Sequence, residues 1–473
     1  TTDSLDYDLN MSEGWYDQWG RLEDDVNTLD SRVGRYNTRS KDAEFFYNVE
    51  LVNKRDGYRL LSDTLYYNTD SHLARIVSPT RIFGENDTIY TSSGTYNTLS
   101  GNADLSGLSL IIHKDSTGNV TTLEGDSIIY DKATAVSRAF SFSRWSHKKA
   151  NPMILTDTAR HTILIGGYGE YNDRTQEAMA TGYPLLKEFS QPDTIFLRAD
   201  TIRSFFIRAA LPALAADSLY APGDSTAMSA ESDSLRRAPI ASPARDYHLA
   251  KAYPRARFFK QDIQGIADSI TFVELDSMVY LDRGPIVWND ERQVNGNRIE
   301  VHMKDSTVDW ASLPDFGIMM EHVDEDFYNQ LMGKKMYALF KEGKLSHLDV
   351  EGNVQTIFLP QENDSTFNRL VTAESSNLSL DMENNDISRM KMWPEVTGDF
   401  TPIFLVRKSQ KLLPGAVWHS ELRPKREWLD THWSWMDDLG ELSPELEAYF
   451  ESLKSDNAPA SGGRRRSAPV ARP

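Results

Sequence analysis

The side chains that could do chemistry are present but badly arranged for it. None of the ten histidines falls in the two-on-one-helix-face spacing that a zinc hydrolase uses. A phosphate-cradling loop would require a glycine ahead of Gly333-Lys334-Lys335, and Tyr328 occupies that place. Gly166-Gly167-Tyr168-Gly169 lacks the third glycine of a dinucleotide loop and reads as a turn. Asp381, Glu383, Asn385 and Asp386 alternate like the start of a calcium loop, but the sixth position is Asp386 and the twelfth is Met392. Ser109 follows Gly107, yet Ile111 stands where a nucleophile elbow needs its second glycine. Two acidic runs, Glu23 to Asp25 and Glu321 to Asp326, could act as acid and base only if they lined a cleft; they read as solvated faces. The expectation is no enzyme, no metal and no cofactor.

Composition narrows the partners. Seventy acidic against 51 basic side chains leave a formal charge of -19, which disfavours nucleic acid because phosphate contacts need clustered Lys and Arg. Zero cysteines remove disulfides, thiolate metal sites and a thiol nucleophile. The longest apolar runs, 108–112 and 210–216, fall far short of the 18 or more residues of a membrane span, so no span is expected. The sequence opens without Met or a leader and reads as lacking its true N-terminus.

What must position any function is a recurring element: Asp, Ser or Thr, an aliphatic residue, one further residue and often Tyr. It occurs at 2–8, 62–68, 86–91, 125–131, 192–202 and 267–272. Asp with Ser or Thr caps a tight turn through nearby backbone amides, and the following alternation is that of a half-buried strand. Short strands at close spacing with almost no helical periodicity mean an all-β chain of stacked rungs.

Segment composition predicts five regions. A first β segment spans 1–212 and a second spans 251–408. Between them, 213–250 is rich in Ala, Ser, Pro and Asp and too poor in large apolar residues to repay ordering, so it reads as a disordered insertion. A Trp-rich, partly helical cap covers 409–455, with a Ser443-Pro444-Glu445 helix start. A disordered basic tail follows at 456–473.

The repeats, the segment at 89–107 and the run at 264–290 resemble the OstA-like (organic solvent tolerance) family, which shares the fold of the lipopolysaccharide-transport bridge LptA and of the periplasmic portion of LptD. The tract at 328–360 resembles the long form found in Bacteroidetes-type bacteria. The resemblance implies a β-jelly roll of stacked antiparallel strands in the periplasm, with association to the outer membrane left open, shielding lipopolysaccharide acyl chains in an apolar trough. It implies no catalytic residue. Alternation and resemblance together predict that Leu65, Tyr67, Ile89, Ile128, Tyr130, Ile195, Leu197, Ile270, Phe272, Val279, Leu281, Trp288, Ile299 and Val301 line that trough as equivalent rungs. Unpaired terminal strands imply edge pairing with self or with other Lpt-type proteins.

The cap has two readings: it seals the last rung, or Trp418, Trp428, Trp433 and Trp435 form a docking patch for an outer-membrane partner or the bilayer interface. Two rival functions remain open, a non-enzymatic envelope scaffold that docks partners through sheet edges and the Trp patch, and a β-helical carbohydrate enzyme with carboxylates clustered on one sheet.

Overall fold

The computed structural model describes residues 1–141, 151–209, 245–305, 307–361, 367–383, 386–429 and 442–455. They form 37 β-strands, short 3-10 turns and two helices near the C-terminal end. Every strand pairing is antiparallel, which fits the expectation of an all-β stack with a small helical cap.

The pairings resolve into two ladders. The first sheet runs from Asp6–Asp8 through Glu13–Tyr16 and Val33–Asn37 and on, hairpin after hairpin, to Asp386–Trp393. The second runs in parallel fashion from Gly20–Glu23 and Asn27–Ser31 to Thr397–Pro402. Six long strands, among them Asp42–Asn53, Ala103–Lys114 and Lys344–Phe358, belong to both sheets and bend midway. Their bends coincide with register shifts between Phe46 and Val49, Ser106 and Ser109, and Glu351 and Val354. Each of these corners holds two residues at positive φ: Tyr47 and Asn48, Gly107 and Leu108, Gly352 and Asn353. Such bulges sharpen a bend and redirect the strand. The two sheets therefore meet along one seam and face each other as the walls of a V, with hairpin turns along the free edges.

The repeated Asp-Ser/Thr element gains a different role from the turn cap expected of it. At 62–64, 125–127, 200–201 and 268–269 it sits at the seam, where the chain passes from one wall to the other. Ser62 Oγ there reaches Thr80 Oγ1 (2.8 Å) and Ser78 Oγ (2.9 Å), and Asp200 pairs with Arg255 (2.8 Å). The hairpin turns are capped by another residue, the Asn or Asp that follows each repeat tyrosine. Asn37, Asn68, Asn97 and Asn172 each accept backbone N–H bonds from two and three residues ahead, at 2.8–3.1 Å. Gly166-Gly167, read as a turn, is another seam corner: Gly167 N donates to Thr181 O and Gly182 O, both at 3.0 Å.

Side chains pointing into the V form one continuous apolar cluster that extends from Leu29 to Leu380. Burial at about 25 cal/mol per Å² of apolar surface is what holds the two walls together.

Among the described residues, the C-terminal segment does not close the last rung. Residues 411–429 cross the outer face of the second sheet as a strap, running back toward earlier rungs. Three glutamines on alternate strands of that sheet, all buried, hold it. Gln330 donates to Lys411 O (2.6 Å) and accepts from Leu413 N (2.8 Å); Gln293 donates to Val417 O (2.8 Å) and accepts from His419 N (2.8 Å); Gln264 accepts from Arg423 (2.7 Å). Arg198 continues the series by donating to Leu429 O (2.7 Å). The helix Pro444–Ser455 then seats Leu446 and Phe450 on Ile266, Ile286 and Trp288, and Tyr449 Oη bonds Gly284 O.

Of the expected insertion, residues 213–244 lie outside the described residues. The strand Arg245–Tyr253 begins inside the expected 213–250 insertion and pairs along its length with Thr201–Ala209. The basic tail also lies outside the described residues.

Candidate functional site

The interior of the V is the candidate site, and most predicted trough residues point into it. Leu65, Tyr67, Ile89, Ile128, Ile270, Leu281 and Ile299 are buried members of the inner cluster, and Tyr130, Leu197, Val279 and Val301 pack against it half-buried. Ile195 is half-buried at the start of its strand, outside that cluster. Phe272 has the inward parity of Ile270 but is 36% exposed, at the free edge.

Trp288 is placed elsewhere. It is fully buried, but on the outer face of the second sheet beneath the C-terminal helix, with its Nε1–H directed to Gln293 Oε1 (3.2 Å). Val287 is the inward neighbour. The strand Ile286–Asn289 is apolar on both faces because the strap covers its back, and alternation cannot choose a face in such a strand. Of the four cap tryptophans, Trp418 lies half-buried on the strap against Tyr328 (5.4 Å between ring centres) and His322 (6.2 Å). The Trp428 side chain, Trp433 and Trp435 lie outside the described residues.

The free edge of the V, its mouth, differs along the stack. In the first half a tyrosine stands on the inner face at the end of successive first-sheet strands: Tyr36, Tyr67, Tyr96, Tyr130 and Tyr171. Around them polar groups reach from wall to wall. Tyr67 Oη donates to Asp24 (2.7 Å) and accepts from Asn27 Nδ2 (2.8 Å), which also meets Thr98 Oγ1 (2.8 Å). Asn53 Nδ2 and Tyr58 Oη both donate to Thr98 O, at 3.0 and 3.1 Å. Further along, Arg55 donates to Leu99 O (2.9 Å), Lys132 to Asp56 (2.7 Å) and Arg160 to Gln176 (3.4 Å). Burial pushes the phenols of Tyr58, Tyr67, Tyr96 and Tyr130 well up, so they stay neutral and able to donate.

One rung of this mouth carries a group of titratable side chains. Asp87 and His113 are cross-strand partners on the second sheet, 2.6 Å apart, and Asp173 faces them from a first-sheet turn. One ligand atom from each lies within 4.8 Å of the others, beside a cavity of about 20 Å³ lined by Ile89, Ile111, Leu123, Tyr130 and Tyr171. Asp173 Oδ1 is buried with no hydrogen-bond partner. Burial, then the neighbouring Asp87 carboxylate, raises the Asp173 pKa. Among the described residues this is the one donor set that could hold a divalent cation. No sequence pattern marks it, because the three residues come from distant hairpins.

In the second half the groups facing the gap are largely apolar: Phe258, Val287, Val294 and Met319 from the second sheet, and Val279, Val301 and Ala338 from the first, all half-buried. An Arg292–Glu321 ion pair (2.9 Å) with Asn329 on Glu321 (3.0 Å) sits on the second sheet near its rim.

A two-walled antiparallel stack around one apolar interior defines a groove-forming β protein. Residues 1–57 match the family described as OstA-like protein, and the chain is OstA-like over this segment, as the repeats suggested. That family is of the lipopolysaccharide-transport type and non-enzymatic. No curated protein matches the chain. Among the described residues, no helix is long and apolar enough to cross a membrane.

Proposed function

We propose that this protein is a periplasmic, bridge-type lipopolysaccharide-transport protein that holds lipid A acyl chains between the two walls of the V on their way to the outer membrane. The observation that carries this reading is the single apolar cluster running the length of the stack, in a chain that opens with an OstA-like segment. Burying a methylene is worth about 0.8 kcal/mol, so a chain of about a dozen carbons loses roughly 10 kcal/mol when bared to water. An apolar cleft offsets that loss without any catalytic group.

The outermost strands support assembly in series with self or with other Lpt-type proteins. Among the described residues, Asp386–Trp393 and Thr397–Pro402 are each paired on one side only, with Trp393, Val396 and Phe400 exposed. Among the same residues Asp6–Asp8 is likewise paired on one side, with Leu5, Tyr7 and Leu9 exposed. Such edges accept another strand.

The test is co-elution of the full chain with purified lipopolysaccharide on size exclusion, beside a deacylated control. The expected result is co-elution with the intact lipid alone. Failure to co-elute, or equal binding of the deacylated form, overturns the proposal and leaves the scaffold reading.

A further inference from the structure

The two halves of the V differ in a way that fixes where a lipid chain can enter. We infer that the mouth is locked along the first half by a wall-to-wall polar clasp, and that alkyl chains occupy only the second half, through the side opening between Arg245–Tyr253 and Lys335–Lys341. This rests on the transport reading above and adds to it the location of the site.

Three observations converge. The first is the set of ties that join hairpin ends of opposite walls, from Asp24–Tyr67 through Lys132–Asp56 to Arg160–Gln176. Around Asn27, Asn53, Tyr58 and Thr98 these ties include buried hydrogen bonds, costly to break and leave without partners; the Lys132–Asp56 and Arg160–Gln176 ties beyond them are exposed. The second is exposure at the mouth. Tyr58, Tyr67 and Tyr96 are 2–5% exposed, whereas Phe272, at the corresponding edge of the second half, is 36% exposed. The third is chemistry and size. Phe258, Phe272, Val279, Val301 and Met319 offer dispersion contacts and no hydrogen bonds. Six first-sheet strands from Arg245–Tyr253 to Lys335–Lys341 span about 24 Å at roughly 4.8 Å per strand. One leaflet's worth of hydrocarbon is about 15 Å, half of a bilayer core of about 30 Å. That length of free edge accommodates an extended acyl chain, and its apolar lining offers nothing to a hydrated headgroup.

The clasp is written into the sequence. Each mouth tyrosine is followed by Asn or Asp (Tyr67-Asn68, Tyr96-Asn97, Tyr130-Asp131), which ends the strand and sets its hairpin. The second half has Phe272, Val279 and Val301 on the corresponding face.

The experiment places a photoreactive residue, one at a time in the full chain, at Leu99 and Tyr130 in the first half and at Phe272 and Val301 in the second. Purified lipopolysaccharide is the probe, and thermal melting verifies each fold. Leu99 and Phe272 are exposed enough to accept the change. Adducts are expected at Phe272 and Val301, and at least about tenfold weaker at Leu99 and Tyr130, since each clasp bond broken costs a factor of about 5. Equal adducts in both halves overturn the inference and leave the transport reading standing. No adduct at any site in folded protein overturns the transport reading itself. A clasp-loosened chain carrying Asn27→Ala and Tyr67→Phe is expected to raise the Tyr130 adduct severalfold; no rise in a folded variant overturns the clasp as the barrier.

Discussion

Replacing Gln293 with Leu tests the strap directly. The side chain is wholly buried and serves three partners: Trp288 Nε1, the backbone N–H of His419 and the carbonyl of Val417. Leucine matches its volume but satisfies none of them. Each abandoned buried group costs about 1–3 kcal/mol, so three give roughly 3–9 kcal/mol, reduced by about 1–2 kcal/mol for the apolar burial gained and by local relaxation. A net loss of about 3 kcal/mol is expected. It should fall on the strap and leave the walls intact, because the residues released lie outside the inner cluster. Hydrogen exchange is the assay. At 1.36 kcal/mol per factor of ten, amides of 416–423 and of the Pro444–Ser455 helix should exchange roughly a hundredfold faster, while those of Leu65 and Ile128 keep their protection. Unchanged strap exchange would refute the glutamine series as its anchor, and equal loss across the V would refute the separation of strap from walls.

Trp288→Ala, which empties a fully buried site under the same helix, should cost about 3–5 kcal/mol in urea unfolding and leave the Phe272 lipid adduct in place. A lost adduct in folded protein would return Trp288 to the groove. Asp173 has its folded pKa raised by burial and by Asp87, so the native state holds that proton more tightly than the unfolded chain, and stability falls as pH rises from the unfolded carboxylate range through the folded pKa. Asp173→Asn should remove this fall, seen as a higher melting temperature at pH 7.5 with little change at pH 4; an unchanged difference between the two would refute it.

The fold class was legible because its signal is repetitive. Alternation at Leu65 and Tyr67, at Ile128 and Tyr130, and at Leu281 is a local property that burial of one sheet face imposes. What escaped was everything that depends on the other face. Trp288 could be assigned to a wall but not to a side, since the residue covering it lies far along the chain. Gln264, Gln293 and Gln330 are unremarkable in sequence and become a series only when alternate strands are stacked. The difference between rungs was hidden for a further reason. Tyr67 and Phe272 look alike to a hydropathy pattern, and only the hydroxyl, with Asp24 and Asn27 opposite it, ties the Tyr67 rung to the other wall. The Asp87–His113–Asp173 group combines residues from three hairpins and left no sequence signal at all.

The strap also makes the two walls mechanically unequal. It is fastened at Gln330, Gln293, Gln264 and Arg198 to the back of the second sheet alone, tying alternate strands of that sheet together as a splint does. The second sheet is thereby stiffened against bending over the same rungs where the mouth is apolar. Any guest that widens the cleft there meets one rigid jaw and one compliant jaw, so the displacement falls on the first sheet, pivoting about the seam corners. The strap residues from Leu413 to His419 could extend to about 20 Å across an anchor spacing of roughly 10 Å, which leaves the splint enough slack to follow the twist of the sheet it braces.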